Sequence, residues 1–141
     1  MTSICFVIAI ILAFWGGMIN EETAPSLLSG YNTMDDEKKK KVNFKGIAKI
    51  YNAVFYTIAA LLVLIGSLSY FFENGKLWGT LFILTITWGF IPLFFLGKKY
   101  DPNTYSKWQY AINYIVLAFL FFSGLAMAIM ICMDVGDFNI E

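Results

Sequence analysis

The sequence predicts an all-α integral membrane protein, a four-transmembrane-helix bundle forming one domain over residues 1–141, and three observations carry that prediction. Of the 141 residues, 59% are hydrophobic and 14% charged, where soluble domains have roughly 45–50% and about 25%. The apolar residues gather into four runs, about 4–19, 47–72, 77–96 and 110–133. Of the ten lysines, nine fall in or beside the two segments, 20–46 and 97–109, that alternate with these runs.

The first run, Ile4 to Ile19, has 16 residues and as a helix spans ~24 Å, short but adequate for a thin bilayer. A signal peptide would need a basic start and a small-residue cleavage site. Met1-Thr2-Ser3 precedes the run and Gly16-Gly17-Met18-Ile19-Asn20 closes it, so a retained helix is expected, with Gly16 and Gly17 as points of close helix approach. The second run, Ile47 to Phe72, is long enough to span with tilt, and Lys49 in its first turn can snorkel to the headgroups. Glu73-Asn74-Gly75-Lys76 contains the Asn-Gly turn signal, and so short a link joins antiparallel neighbours. Leu77 to Leu96 is the third run, and Pro92 inside it removes a backbone donor and predicts a kink. Asp101-Pro102-Asn103 marks a turn in the next loop. Tyr110 to Met133 is the fourth run, followed by the acidic tail DVGDFNIE. Trp78 and Trp108 are expected at the membrane interfaces and mid-helix Trp88 in packing.

The lysines orient the chain. Lys38, Lys39, Lys40, Lys41, Lys45 and Lys49 belong to the first loop and the start of the second helix, and Lys98, Lys99 and Lys107 to the loop after the third; Lys76 alone is on the other side. By the positive-inside rule both loops are cytoplasmic, with the N-terminus, the 73–76 turn and the C-terminus outside.

Function is narrowed mostly by exclusion. The chain has no Arg and no His, which removes the fork used in nucleic-acid readout and the commonest general base and metal ligand. No ionisable side chain falls in the middle third of any run, which argues against ion or proton translocation. The expectation is a non-enzyme without catalytic residues, metal or cofactor. Its partners are the lipid bilayer, anionic lipids at the lysine cluster, and a membrane protein or a second copy, with no nucleic acid.

Three groups of residues stand out. Gly30, Tyr31, Asn32, Thr33 and Met34 form a shaped turn, in which Gly30 is expected in a conformation other residues resist and Tyr31 at headgroup level. Thr33 is placed to cap a short helix, with Asp36 three residues on completing a capping-box pattern, so that Thr33→Ala should cost about 0.5–2 kcal/mol. The six lysines Lys38 to Lys49 serve as a topology determinant or an anionic-lipid contact. Tyr51, Asn52, Asn113 and Tyr114 lie near the cytoplasmic helix ends, where they form either a shallow polar pocket or interhelical hydrogen bonds. Cys5 and Cys132 are expected at the same depth, as two free thiols.

The string Leu28-Ser29-Gly30-Tyr31-Asn32-Thr33-Met34, followed by an acidic and then a lysine-rich helix, resembles a family of small bacterial membrane proteins catalogued as a domain of unknown function, whose members carry LIAGYNTM between the first and second of three membrane helices. The resemblance covers about the first 100 residues and implies a multi-pass protein of the bacterial inner membrane; the fourth helix is an addition to it. Gly30-Tyr31-x-Thr33 is similar to the Gly-Tyr-Arg-Thr segment of the Sdp toxin-immunity membrane proteins, with Asn32 in place of Arg. Two functions are therefore expected: a binding or accessory subunit acting through its cytoplasmic GYNTM loop, or an immunity or transport-type protein guarding against a membrane-active peptide.

Overall fold

The computed structural model describes residues 1–28 and 30–133; Ser29 of the loop string and the acidic tail from 134 onward lie outside them. Over the described residues the chain is all-α. Helix α1 (Thr2–Met18) buries Cys5, Ala9 and Gly16, small residues at i, i+4 and i+11 that make one narrow stripe. Against that stripe lies α4 (Phe44–Phe71). A Cβ added at Gly66 would stand 2.9 Å from Cys5 Cβ, and one at Gly16 would stand 3.1 Å from Phe55 Cβ. Backbones this close give the dispersion contact that holds helices together where lipid removes the hydrophobic drive.

The first loop contains two single-turn helices, α2 (Ala24–Leu27) and α3 (Asp36–Lys39). The third run is distorted at its proline, as expected: α5 (Gly75–Trp88) is interrupted, Gly89 and Phe90 keep right-handed helical backbone, and α6 (Ile91–Leu96) resumes with Pro92 in its first turn. Pro92 has no N–H to offer the Trp88 carbonyl. The break falls where α5 meets α4, since a Cβ on Gly89 would stand 2.7 Å from Ile58 Cγ1. A 3-10 turn (Gly97–Tyr100) follows, and α7 (Lys107–Cys132) completes the fold, packed mainly on α5. Its Gly124 and Ala128 are buried there. Trp88 stacks on Phe121 at 5.0 Å and donates from Nε1 to the Phe121 carbonyl at 3.2 Å.

Phe44–Phe71, Gly75–Tyr100 and Lys107–Cys132 are long and apolar enough to cross a membrane, and α1 is apolar but shorter, with 17 residues. Large apolar side chains such as Ile10, Phe14, Leu64, Phe119 and Phe122 face outward, as a multi-span bundle with a lipid-facing exterior requires.

At the α4–α5 corner Trp78 is buried, its Nε1 donating to the Phe72 carbonyl at 2.8 Å. Asn74-Gly75 starts a helix as well as turning the chain: Asn74 Oδ1 accepts from the Leu77 N–H at 3.1 Å. Asn74→Ala should therefore lower stability by about 0.5–2 kcal/mol, measurable as a lower denaturation midpoint in detergent. Cys5 is buried beside Gly66 of α4, whereas Cys132 is exposed, 3.5 Å from Thr80 of α5. The two thiols are free and rest on different helices.

Candidate functional site

Helix α4 has 28 residues and is ~42 Å long, more than the ~30 Å of a hydrocarbon core. Its first turns extend among the loops, where Ile47 and Ala48 join Ile19, Ala24, Leu28 and Val42 in a second small core. Asn43 caps α4, its Oδ1 accepting from the Gly46 N–H at 2.9 Å, and the Asn43 N–H donates to the Tyr100 carbonyl at 2.9 Å. The Tyr100 ring lies on Gly46 so closely that a Cβ there would overlap it. The two loops therefore meet over the start of α4.

Their junction is organised by Asp101. Its Oδ1 accepts from the Asn103 backbone N–H at 3.1 Å and from Asn103 Nδ2 at 2.9 Å, and Tyr105 donates its hydroxyl to Oδ2. Asn103 Nδ2 also reaches the Lys38 carbonyl of the first loop at 3.0 Å. Tyr31 stands beside the same carboxylate, its ring edge-on to Phe44 with centroids 5.5 Å apart.

Burial and the neighbouring Asp101 charge hold the Tyr31 hydroxyl well above the ordinary tyrosine value, and burial with the Asp101 hydrogen bond does the same for Tyr105. A phenol whose folded pKa is raised stabilises the fold fully below its unfolded value of ~10, and that stability is lost as pH climbs from there toward the folded value. Alkaline titration followed by tyrosinate absorbance should show Tyr31→Phe and Tyr105→Phe each deleting a late-ionising phenol; early ionisation of both would contradict the arrangement.

The GYNTM residues divide by direction. Gly30 has φ +91°, in the left-handed region, so a side chain here would be strained. Tyr31 and Met34 are half-buried and pack on the second core, while Asn32 and Thr33 are exposed. Thr33 is not a cap. Asp35 occupies the position before α3, no side chain caps that helix, and Thr33 has no hydrogen-bond partner among the described residues. One turn of helix starting at Asp36 leaves Thr33 two residues too early to reach the free N–H groups. Thr33→Ala should then leave stability within about 0.5 kcal/mol. The charge order of α3 is as expected, with Asp36 and Glu37 at its start and Lys38 and Lys39 at its end.

Of the lysine cluster, Lys38, Lys40, Lys41, Lys45 and Lys49 are exposed; Lys39 is half-buried, and its Nζ donates to the Asn32 carbonyl at 3.4 Å. The four residues of the expected polar pocket do not come together. Tyr51 and Asn52 are half-buried on α4, with Asn52 Oδ1 buried and without a partner, whereas Asn113 and Tyr114 are exposed on α7, which packs on α5 and α6. Asp101, Asn103 and Tyr105 were not among the candidates. Their signal was present: one carboxylate set among Asn and Tyr in a loop on the same side as the GYNTM string.

A family model described as a domain of unknown function (DUF3784) matches residues 6–101. The chain belongs to that family. The DUF3784 match runs from α1 to Asp101, and so contains the GYNTM loop and the carboxylate that anchors the second loop to it, but not Asn103, Tyr105 or α7. No curated protein and no solved structure matches the chain. Among the described residues, no group of three or more Cys, Asp and Glu is placed to hold a metal ion.

Proposed function

We propose that this DUF3784 member is a non-catalytic, multi-pass protein of the bacterial inner membrane that docks a membrane-protein partner through its GYNTM loop. One observation carries the reading. Tyr31 and Met34 anchor the loop from inside, while Asn32 and Thr33, adjacent and polar, are displayed outward with their side chains unengaged among the described residues. A backbone already held in place has met much of the ordering cost of recognition before a partner arrives, so the displayed hydrogen-bonding groups favour specific contact. In this reading both termini are outside, the joined loops are cytoplasmic by the lysine excess, and the lysines beside the motif hold it against the anionic leaflet.

A photo-crosslinking residue at position 32 or 33 tests this. A discrete adduct of one size, lost when the neighbouring motif residue is changed to Ala, is expected; adducts with lipid alone would overturn the docking role. An adduct of twice the chain mass would identify the partner as a second copy. A reporter fused to the C-terminus should be active only outside, and a cytoplasmic C-terminus would refute the threading.

A further inference from the structure

Where α6 and α7 meet the loop layer, α7 carries a face of mixed charge and aromatic character. Lys107, Tyr110 and Tyr114 recur at i, i+3 and i+7, which sets them in one stripe over two turns. All three are exposed, Tyr114 at 58%. Lys98, in the 3-10 turn after α6, extends over this stripe, with its Nζ 5.8 Å from the centre of the Tyr114 ring, within the range of a cation–π contact. Neither Lys98 nor Lys107 forms an ion pair among the described residues. Asp101, the acid nearest to both in sequence, is engaged by Asn103 and Tyr105. Toward the middle of the span the polar stripe gives way to Ile115, Phe119 and Phe122, exposed by 63%, 70% and 64% and spaced i, i+4 and i+7 on a neighbouring face.

We infer that this α6–α7 face is a binding site for one anionic phospholipid. The ammonium groups of Lys98 and Lys107 take the phosphate, the Tyr110 and Tyr114 rings lie against the glycerol region, and an acyl chain follows Ile115, Phe119 and Phe122. Charge complementarity selects an anion, and continuity between the cationic stripe and the apolar track selects a lipid over a soluble anion or an acidic peptide, which would leave the track bare. Apart from Lys98, the site is built by α7, beyond the span matched by DUF3784, and does not depend on what the GYNTM loop docks.

Native mass spectrometry of the full chain in neutral detergent, titrated with phosphatidylglycerol or phosphatidylcholine, tests it. One phosphatidylglycerol should bind in preference to phosphatidylcholine, and the double variant K98Q/K107Q should weaken that binding on the order of tenfold. Tyr114→Ala should weaken it too, and Tyr114→Phe should not. K76Q, at the opposite end of the helices, should retain full binding. An unchanged affinity in K98Q/K107Q, an equal loss in K76Q, or equal binding of phosphatidylcholine would overturn the site. Displacement of the lipid by inorganic phosphate would overturn its assignment to a lipid.

Discussion

Asp101→Ala should release the second loop from the first while leaving the helices in place. Three donors converge on this carboxylate, two from Asn103 and one from Tyr105, and Asn103 in turn holds the Lys38 carbonyl. Hydrogen bonds to a charged group contribute about 1.5–3 kcal/mol, and half-buried donors left without a partner add to the loss. A local destabilisation of about 2–4 kcal/mol is expected. Limited proteolysis should then cut within 97–106 far faster than in the parent, with circular dichroism unchanged. Asp101→Asn keeps an acceptor for Asn103 and should fall between the two. Equal protease resistance of Asp101→Ala and the parent would show that the Asn43–Tyr100 contact alone joins the loops.

Gly124→Leu should have the second large effect, by prising α7 from α5. A Cβ at Gly124 would overlap Thr87 Oγ1 and lie 2.9 Å from Thr87 Cβ. Thr87 cannot turn aside without cost, because its hydroxyl donates to the Ile83 carbonyl at 2.7 Å. Overpacking of this kind costs about 1–3 kcal/mol, and Leu should lie at the upper end. Gly124→Ala should be milder and largely rescued by Thr87→Ala, a non-additive pair whose coupling a double-mutant cycle would measure. Additive losses would place the strain elsewhere.

The helical content was legible because hydrophobic run length and loop punctuation are local properties. α4 and α7 begin only three residues before the runs that predicted them, the added turns being the polar ones that extend past lipid. Pro92 gave the position of the distortion but not what accommodates it, since the close approach of Gly89 to Ile58 belongs to another helix. The GYNTM string was visible as a motif, and Gly30 as its conformational hinge, but the direction of each side chain was not: Tyr31 points in and Thr33 out because of Phe44 and Ile47, residues of a different element. The same limit explains the pocket of Tyr51, Asn52, Asn113 and Tyr114. Equal depth along the chain says nothing about azimuth around a helix, and α7 turns Asn113 and Tyr114 outward. Asp101 was passed over because a turn signature accounts for Asp-Pro-Asn without any partner, and the first-loop residues it is joined to, Tyr31 beside it and Lys38 through Asn103, lie far away in sequence.

Helix α1 has 17 residues and α7 has 26; if α1 lies in the bilayer beside the three longer helices, lipid at its side would meet a wall ~26 Å high and lipid beside α7 one ~39 Å high. A flat bilayer of uniform thickness fits both only if the molecule leans or the membrane thins on the α1 side. The protein would then be a wedge in the plane of the membrane. It should partition toward bilayers of short-chain lipid and gather where thickness changes, with Ile10 and Phe14 of α1, 69% and 66% exposed, facing the thinner side.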